Sequence, residues 1–340
     1  MNTVPKNDNT RKENDMKYYL GLDVGGTNLA AGVVDEEYHL ISKLSIPTSA
    51  GRSIEEITAD MAKVSKAVIQ KAGLSIEAFE AWGIGMPSYV NPNTNLLVHA
   101  NCFGWKNIPI YRYLDDKLPL RVLIENDANC AALGETLAGA AREEENIIML
   151  TLGTGVGGGV IIEKKIYCGA DMMGAELGHA KLVYNGIPCT CGQKGCVEAY
   201  CSATALIRQT KEAALKNKTS ALWELCQGNI DNIEGKTLFD AVKLSDTAAK
   251  QVLDQYADYL SSAISTYITL FRPDKIILGG GIAEAGDLLI EPVQERLVSN
   301  TFAGAEIGVP QIMKAKLGND AGIIGAAFLQ KYGVNRRKEK

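Results

Sequence analysis

The chain has 340 residues, 46% hydrophobic and 22% charged, with 34 glycines and a formal net charge of −5. That length is more than a typical single domain needs, and the balance is that of a globular protein rather than a fibrous or disordered one. The acidic balance argues against a nucleic-acid or anionic-membrane surface; no apolar run approaches the roughly eighteen residues of a membrane span, and Met1 to Lys17 lacks a signal-peptide stretch. These features predict a cytoplasmic protein that works on small molecules.

Residues 1–16 carry almost no apolar side chain, which predicts a disordered tail. Three apolar runs at 18–24, 29–34 and 39–46 then read as a strand meander, the first two joined by Gly25-Gly26-Thr27-Asn28. Ser53, with Glu56 three residues on, should cap a helix whose apolar stripe is Ile57, Met61, Val64, Val68 and Ile69, ending by Gly73. A strand at 81–85, a Pro/Asn-rich loop at 87–95, a helix at 111–118 and a strand at 120–124 complete a β-β-β-α-β-α-β order.

The order then starts again. A strand at 146–152, a glycine turn over 153–159 and a strand at 160–167 echo the first hairpin. A long helix at 248–271 stops at Arg272-Pro273 and feeds a strand at 275–278 and the turn Gly279-Gly280-Gly281. Two halves that each open on a glycine-turned hairpin suggest a duplicated α/β unit, with ligands in a cleft at strand ends.

Gly153-x-Gly155-x-x-Gly158 satisfies the dinucleotide fingerprint as letters, but a strand follows it where the fingerprint needs a helix. The segment is therefore a hairpin whose backbone amides can cradle phosphate oxygens, and a side chain at Gly26 or Gly155 should obstruct that approach. No Gly-x-x-x-x-Gly-Lys-Ser/Thr sequence occurs, which removes the P-loop class.

His179, Cys189, Cys191 and Cys196 place four soft ligands in eighteen residues. Such a set reads as a closed tetrahedral Cys₃His zinc site, structural because no position is left for substrate, with Gly192 and Gly195 permitting the tight turns. Cys102, Cys130, Cys168, Cys201 and Cys226 read as small buried packing residues. Folding the loop round the metal should gather Glu176, His179 and Glu198, and His179 can give one ring nitrogen to zinc and the other to a substrate hydroxyl. Glu198 could alternatively be a solvated loop carboxylate, and Glu176 could cap a helix. Glu125-Asn126-Asp127 stands where a strand hands over to a helix; locally, Asp127 is as readily an N-cap as a base. Asp23 is either a turn residue or an organiser of Mg²⁺ through water. His39 and His99 have no assigned role.

Asp23-x-Gly25-Gly26-Thr27, Leu152-Gly153-Thr154-Gly155 and Gly279-Gly280-Gly281 together resemble the nucleotide site of the actin-like ATPase superfamily. Within it, Ile148-x-x-x-Leu152-Gly-Thr-Gly-x-Gly-Gly-Gly, continuing through Gly169, Gly174 and Glu176-Leu177-Gly178-His179, resembles the signature of the ROK family (repressors, open reading frames and sugar kinases). Cys-x-Cys-Gly-x-x-Gly-Cys-x-Glu is similar to that family's zinc motif, and the likeness runs from about Tyr18 to Gly333. It implies two actin-like ATPase (ribonuclease H-like) α/β domains with a cleft between them: 17–128 plus about 321–335, and 129–320 with a zinc loop at 176–200.

The resemblance further implies an ATP- and Mg²⁺-dependent hexose kinase with a structural Zn²⁺, glucose being the first substrate and Asp127 the catalytic base. Asn101, Asn126, Asp127, Glu176, His179 and Glu198 would meet the sugar. Asp23, Gly25, Gly26, Thr27, Gly153, Thr154, Gly155, Gly279, Gly280 and Gly281 would meet ATP and Mg²⁺, with 281–284 bordering adenosine. A homodimer or homotetramer is implied. Cys102 replaces the second of two asparagines common before the family's Gly-Trp, and Ser88 stands where Gly often follows Pro87. Both departures lie in sugar-contacting loops, so N-acetylmannosamine, fructose, allose and N-acetylglucosamine stay open as substrates. The family's sugar-responsive repressors carry a helix-turn-helix domain of some sixty residues before the sugar domain; here about sixteen residues precede the first strand, which disfavours that reading.

Overall fold

The computed structural model describes residues 16–334, so the tail expected over 1–16 lies, except for Met16, outside the described residues. The chain divides into two compact units, one running to Ala138 and resuming at Asn319, the other Gly139–Gly318. Among the described residues no helix is long and apolar enough to cross a membrane.

In the first unit β1 (Tyr18–Val24), β2 (Asn28–Asp35) and β3 (Leu40–Pro47) form the expected antiparallel meander. Helix α1 (Ile54–Lys71) starts at the expected cap: Glu56 N donates to Ser53 Oγ at 3.3 Å and Ser53 N to Glu56 Oε2 at 3.0 Å. Such a reciprocal cap is worth about 1 kcal/mol. All five residues of its apolar stripe are buried. Strand β4 (Ala81–Met86) is buried throughout and lies parallel to β1, as befits a central strand covered on both faces.

The loop expected at 87–95 instead holds β5 (Val90–Asn91), which joins β6 (Leu96–Ala100) and β7 (Trp105–Ile108) in a small antiparallel sheet. Helix α2 (Tyr111–Leu114) is shorter than the stretch predicted to 118: the chain leaves it in a tighter turn, with Lys117 N donating to Leu114 O at 3.0 Å, and the proline at 119 disfavours helical backbone at Leu118. Strand β8 (Arg121–Asn126) pairs with β4 and passes directly into α3 (Asp127–Leu137).

The second unit repeats this plan. Strands β9 (Ile147–Leu152), β10 (Val156–Ile162) and β11 (Lys165–Tyr167) form a meander. The single strand expected at 160–167 is thus two. β10 starts inside the glycine run, and Glu163 and Lys164, both at positive φ, make the two-residue turn that a hairpin favours. No Asn-Gly signal announces it. Helices α4 (Glu198–Cys201), α5 (Ala203–Lys216), α6 (Leu222–Leu225), α7 (Gly235–Lys243) and α8 (Thr247–Phe271) follow. Asp246 caps α8 by accepting from Ala249 N at 2.8 Å, and Arg272 closes it in the left-handed region just before Pro273. Strand β12 (Lys275–Gly279), α9 (Asp287–Asn300), α10 (Gly304–Ile307) and β13 (Gln311–Lys314) complete the unit. The sheet orders β3-β2-β1-β4-β8 and β11-β10-β9-β12-β13 have the same topology, with three antiparallel strands and two added in parallel.

The chain then returns to the first unit as α11 (Ala321–Ala327) and α12 (Leu329–Tyr332). Helix α11 lies backbone-close on its neighbours: a Cβ on Gly83 of β4 would stand 1.8 Å from Ala326 O, and one on Gly134 of α3 2.2 Å from Ala321 O. Helix α3 therefore stays whole in this unit, and the boundary expected after residue 128 falls at Ala138. Gly83→Ala is expected to cost about 3 kcal/mol through overpacking; an unchanged melting midpoint would show that α11 can shift aside freely.

Candidate active site and metal cluster

Acidic and amide side chains gather at the C-terminal ends of β1 and β8, as Asp23, Glu125 and Asn126. Asp23 on β1 stands opposite Gly85 on β4, and Met86 opposite Asn126 on β8. Asn126, not Asp127, caps α3: its Oδ1 accepts from Ala128 N at 2.9 Å and Asn129 N at 3.2 Å. That leaves its Nδ2 to donate elsewhere. Asp127 is the first helical residue; its Oδ1 accepts from Ala128 N at 2.8 Å, and its Oδ2 has no protein partner among the described residues.

Burial raises the Asp127 carboxyl above the usual range, opposed by the Ala128 N–H. Asp23 is pushed up to about 7, first by burial and then by the charge of Asp127, with Lys43 pulling the other way. Glu125 is also raised by burial, although its Oε1 accepts from Asn129 Nδ2 at 3.0 Å and Asn126 N at 2.8 Å. Asp23 and Asp127 thus lie close enough at the strand ends for the charge of Asp127 to disfavour ionisation of Asp23.

Asn101 is exposed at the start of the turn Asn101–Phe103. Cys102 is exposed too, against expectation, because Phe103 and Trp105 take the buried positions and stack at 4.6 Å. Cys130, Cys168, Cys201 and Cys226 are buried as expected, and so is Ser88.

Each unit has its own glycine turn at a hairpin. Gly25 N donates to Asn28 O at 2.9 Å in the first, and Gly153 N to Gly155 O at 3.0 Å in the second. Gly280, at φ 82°, brings the third turn against β9, where a Cβ would stand 2.6 Å from Leu152 O. The turns also adjoin other residues: a Cβ on Gly155 would lie 2.4 Å from Oε2 of Glu198, which was expected at the sugar, and one on Gly26 3.1 Å from Cβ of Cys102, the departure from the family's asparagine. A side chain at either glycine would therefore disturb more than phosphate approach.

In the second unit one ligand atom from each of His179, Cys189, Cys191 and Cys196 lies within 4.8 Å of the others. Cys191 Sγ and Cys196 Sγ are 3.7 Å apart, as are Cys189 Sγ and His179 Nδ1. Zinc–sulfur bonds of about 2.3 Å give a tetrahedral edge of about 3.8 Å, so the donor set fits Zn²⁺. Gly192 and Gly195 sit at φ 85° and 75°, and a Cβ on Gly195 would strike Val183 O at 1.7 Å. Desolvation pushes the Cys189 thiol up to about 12.

Glu198 adjoins this cluster. Its Oε1 accepts from Thr190 Oγ1 at 2.6 Å and Cys189 Sγ at 3.3 Å, and its Oε2 accepts from Val156 N at 3.1 Å. Glu198 and His179 thus flank Cys189. Glu176 is exposed and precedes the turn Leu177–His179 without a side-chain cap. Helix α8 steadies the region through Tyr267 Oη donating to Leu177 O and Tyr256 Oη to Cys201 O, each at 2.6 Å. Sequence reading missed Thr190, although its place between two expected ligands was a usable signal; the tyrosines of α8 carried none.

The model of the ROK family matches residues 19–332. Glucokinase of Halalkalibacterium halodurans is 34% identical over 94% of this chain and 96% of its own. N-acetyl-D-glucosamine kinase of Haemophilus influenzae is 30% identical over 92% and 98%. A solved ROK family glucokinase from Streptomyces griseus, in complex with glucose and AMPPNP, superposes with a TM-score of 0.75 at 34% identity, covering 92% of this chain and 98% of that one.

Proposed function

Since the chain belongs to the ROK family, we propose that it moves the γ-phosphoryl group of ATP to a hydroxyl of a hexose, glucose first, with Asp127 as general base. The observation that carries this reading is the division of labour at the start of α3. Asn126 takes the cap, so Asp127 keeps one carboxyl oxygen free and a raised pKa. That oxygen would accept the hydroxyl proton late in a loose transition state, while Asn126 Nδ2 donates to the sugar. Asn101, Glu176, His179 and Glu198 would supply further hydroxyl contacts.

The glycine turns would hold the phosphates by backbone N–H groups, and Asp23 would hold water on Mg²⁺, whose charge offsets that of the phosphates. Zn²⁺ on His179, Cys189, Cys191 and Cys196 would supply only shape. A cytoplasmic setting suits reduced thiols, and we take the assembly to be a homodimer or homotetramer. The test is ADP release across a panel of glucose, N-acetylglucosamine, N-acetylmannosamine, fructose and allose. Activity on none of these sugars would end the reading; a preference for an amino sugar would keep the kinase and replace the substrate.

The Asp23 carboxyl gives a pH prediction. Below about 7 it keeps its proton, which hydrated Mg²⁺ must displace; above, it is anionic and ready. The kcat/KM for MgATP should therefore rise from pH 6 to 8, at most about tenfold per unit below the pKa, and Asp23→Asn should lose that limb. A flat wild-type profile across that range would remove Asp23 from the metal's environment.

A further inference from the structure

Each hairpin turn has one carbonyl held by the hydroxyl of a threonine outside the hairpin and a second held by a backbone N–H beside that hydroxyl. In the first unit Thr48 Oγ1 donates to Gly25 O at 2.7 Å and Thr48 N to Thr27 O at 2.8 Å. In the second, Thr204 Oγ1 donates to Thr154 O at 2.9 Å and Ala203 N to Gly153 O at 2.8 Å. The third carbonyl of that turn, Gly155 O, accepts from Gly153 N, and Val156 N is held by Glu198. One hydroxyl and one adjacent N–H thus fix two carbonyls in each unit, on segments that share no sequence pattern.

The consequence follows from peptide geometry. In a trans peptide the C=O of one residue and the N–H of the next point in opposite directions. Fixing Gly25 O aims the Gly26 N–H the other way; fixing Gly153 O and Thr154 O does the same for the N–H groups of Thr154 and Gly155. These three N–H groups have no protein partner among the described residues. A carbonyl that swung round would present a partial negative charge where an anion is to sit; the Thr48 hydroxyl removes that orientation for Gly25 O, the Thr204 hydroxyl for Thr154 O, and the Ala203 N–H for Gly153 O.

We propose that Thr204 and Thr48 are positioning residues for the nucleotide phosphates, a claim that rests on the kinase reading and adds to it. They act through the turn and touch no phosphate themselves. Thr204 is exposed and Thr48 fully buried, so Thr204 is the cleaner probe.

Calorimetric binding of AMPPNP, adenosine and glucose to the full chain, with steady-state kinetics, tests this on Thr204→Val and Thr204→Ser. Thr204→Val should weaken AMPPNP binding and raise the KM for ATP about tenfold, while adenosine and glucose affinities move less than about twofold. Thr204→Ser, which keeps the hydroxyl, should return to within about twofold of wild type. Thr48→Ser should do likewise, and Thr48→Val should repeat the phosphate-specific loss in whatever fraction folds. Unchanged AMPPNP binding in Thr204→Val, equal losses for AMPPNP and adenosine, or failure of serine to rescue would each overturn the proposal and leave the kinase reading standing. A wild-type chain that binds no nucleotide removes both.

Discussion

Asp127→Asn is expected to leave a folded protein that still binds glucose and turns it over about 10²–10⁴ times more slowly, the usual contribution of a positioned acid–base group. The fold should survive because the side chain's one structural bond, from Ala128 N to Oδ1, suits an amide oxygen as well as a carboxylate, and because Asn126 holds the cap. What disappears is the second oxygen's capacity to accept a proton. The same change also removes a negative charge that helps raise the Asp23 carboxyl. The pH dependence of residual activity should therefore move to lower pH, which a merely destabilised variant would not show. Turnover above a tenth of wild type would reject Asp127 as the base.

Where local chemistry decided a feature, the sequence showed it. Ser53 and Glu56 announced the start of α1, and the Cys-x-Cys and Gly-Cys spacing with His179 announced four ligand atoms that do converge. The fold's duplication was legible in two glycine-turned hairpins, because a turn that leaves backbone amides free needs residues without bulk. What stayed hidden depends on contacts distant in sequence. That α2 stops short of Leu118 was recoverable from Pro119, but its end at Leu114 was not, and the three-stranded sheet around β6 depends on pairings among short strands with weak patterns. Asp127 and Asn126 are equally good caps by residue type, and only backbone geometry gives the cap to Asn126. Thr48 and Thr204 look like ordinary surface or strand-end threonines, and their bonds to the turns join elements 23 and 50 residues apart.

Cys191→Ala should release the metal and abolish hexose phosphorylation while leaving a soluble chain that still binds ATP, more weakly. A structural zinc contributes on the order of 10 kcal/mol to the folding of small fingers, and the tip of the loop, with Cys191 and Gly192 exposed, is tied by backbone bonds such as Cys189 N to Gln193 O and Gly192 N to Cys189 O besides its ligands. Without the metal, Thr190 would cease to be fixed beside Glu198, and Glu198 Oε1 would lose the donor that sets it at 2.6 Å. Most of the second unit's core comes from its sheet and from α5 to α9, and Tyr256 and Tyr267 of α8 hold the carbonyls of Cys201 and Leu177 without using the metal ligands. The turn at 153–155, proposed to hold phosphate, should keep its bonds from Ala203 and Thr204, which follow Cys201, and lose only the Val156–Glu198 bond. That asymmetry predicts a large loss in glucose affinity and a small one in AMPPNP affinity. Elemental analysis of wild-type protein should find about one zinc per chain, as a single Cys₃His site requires. Loading should weaken as pH falls, since the Cys189 proton must leave before its sulfur can bind. Full glucose kinase activity in a preparation without metal would show that the cluster holds its shape unaided and that zinc has no part in the reaction.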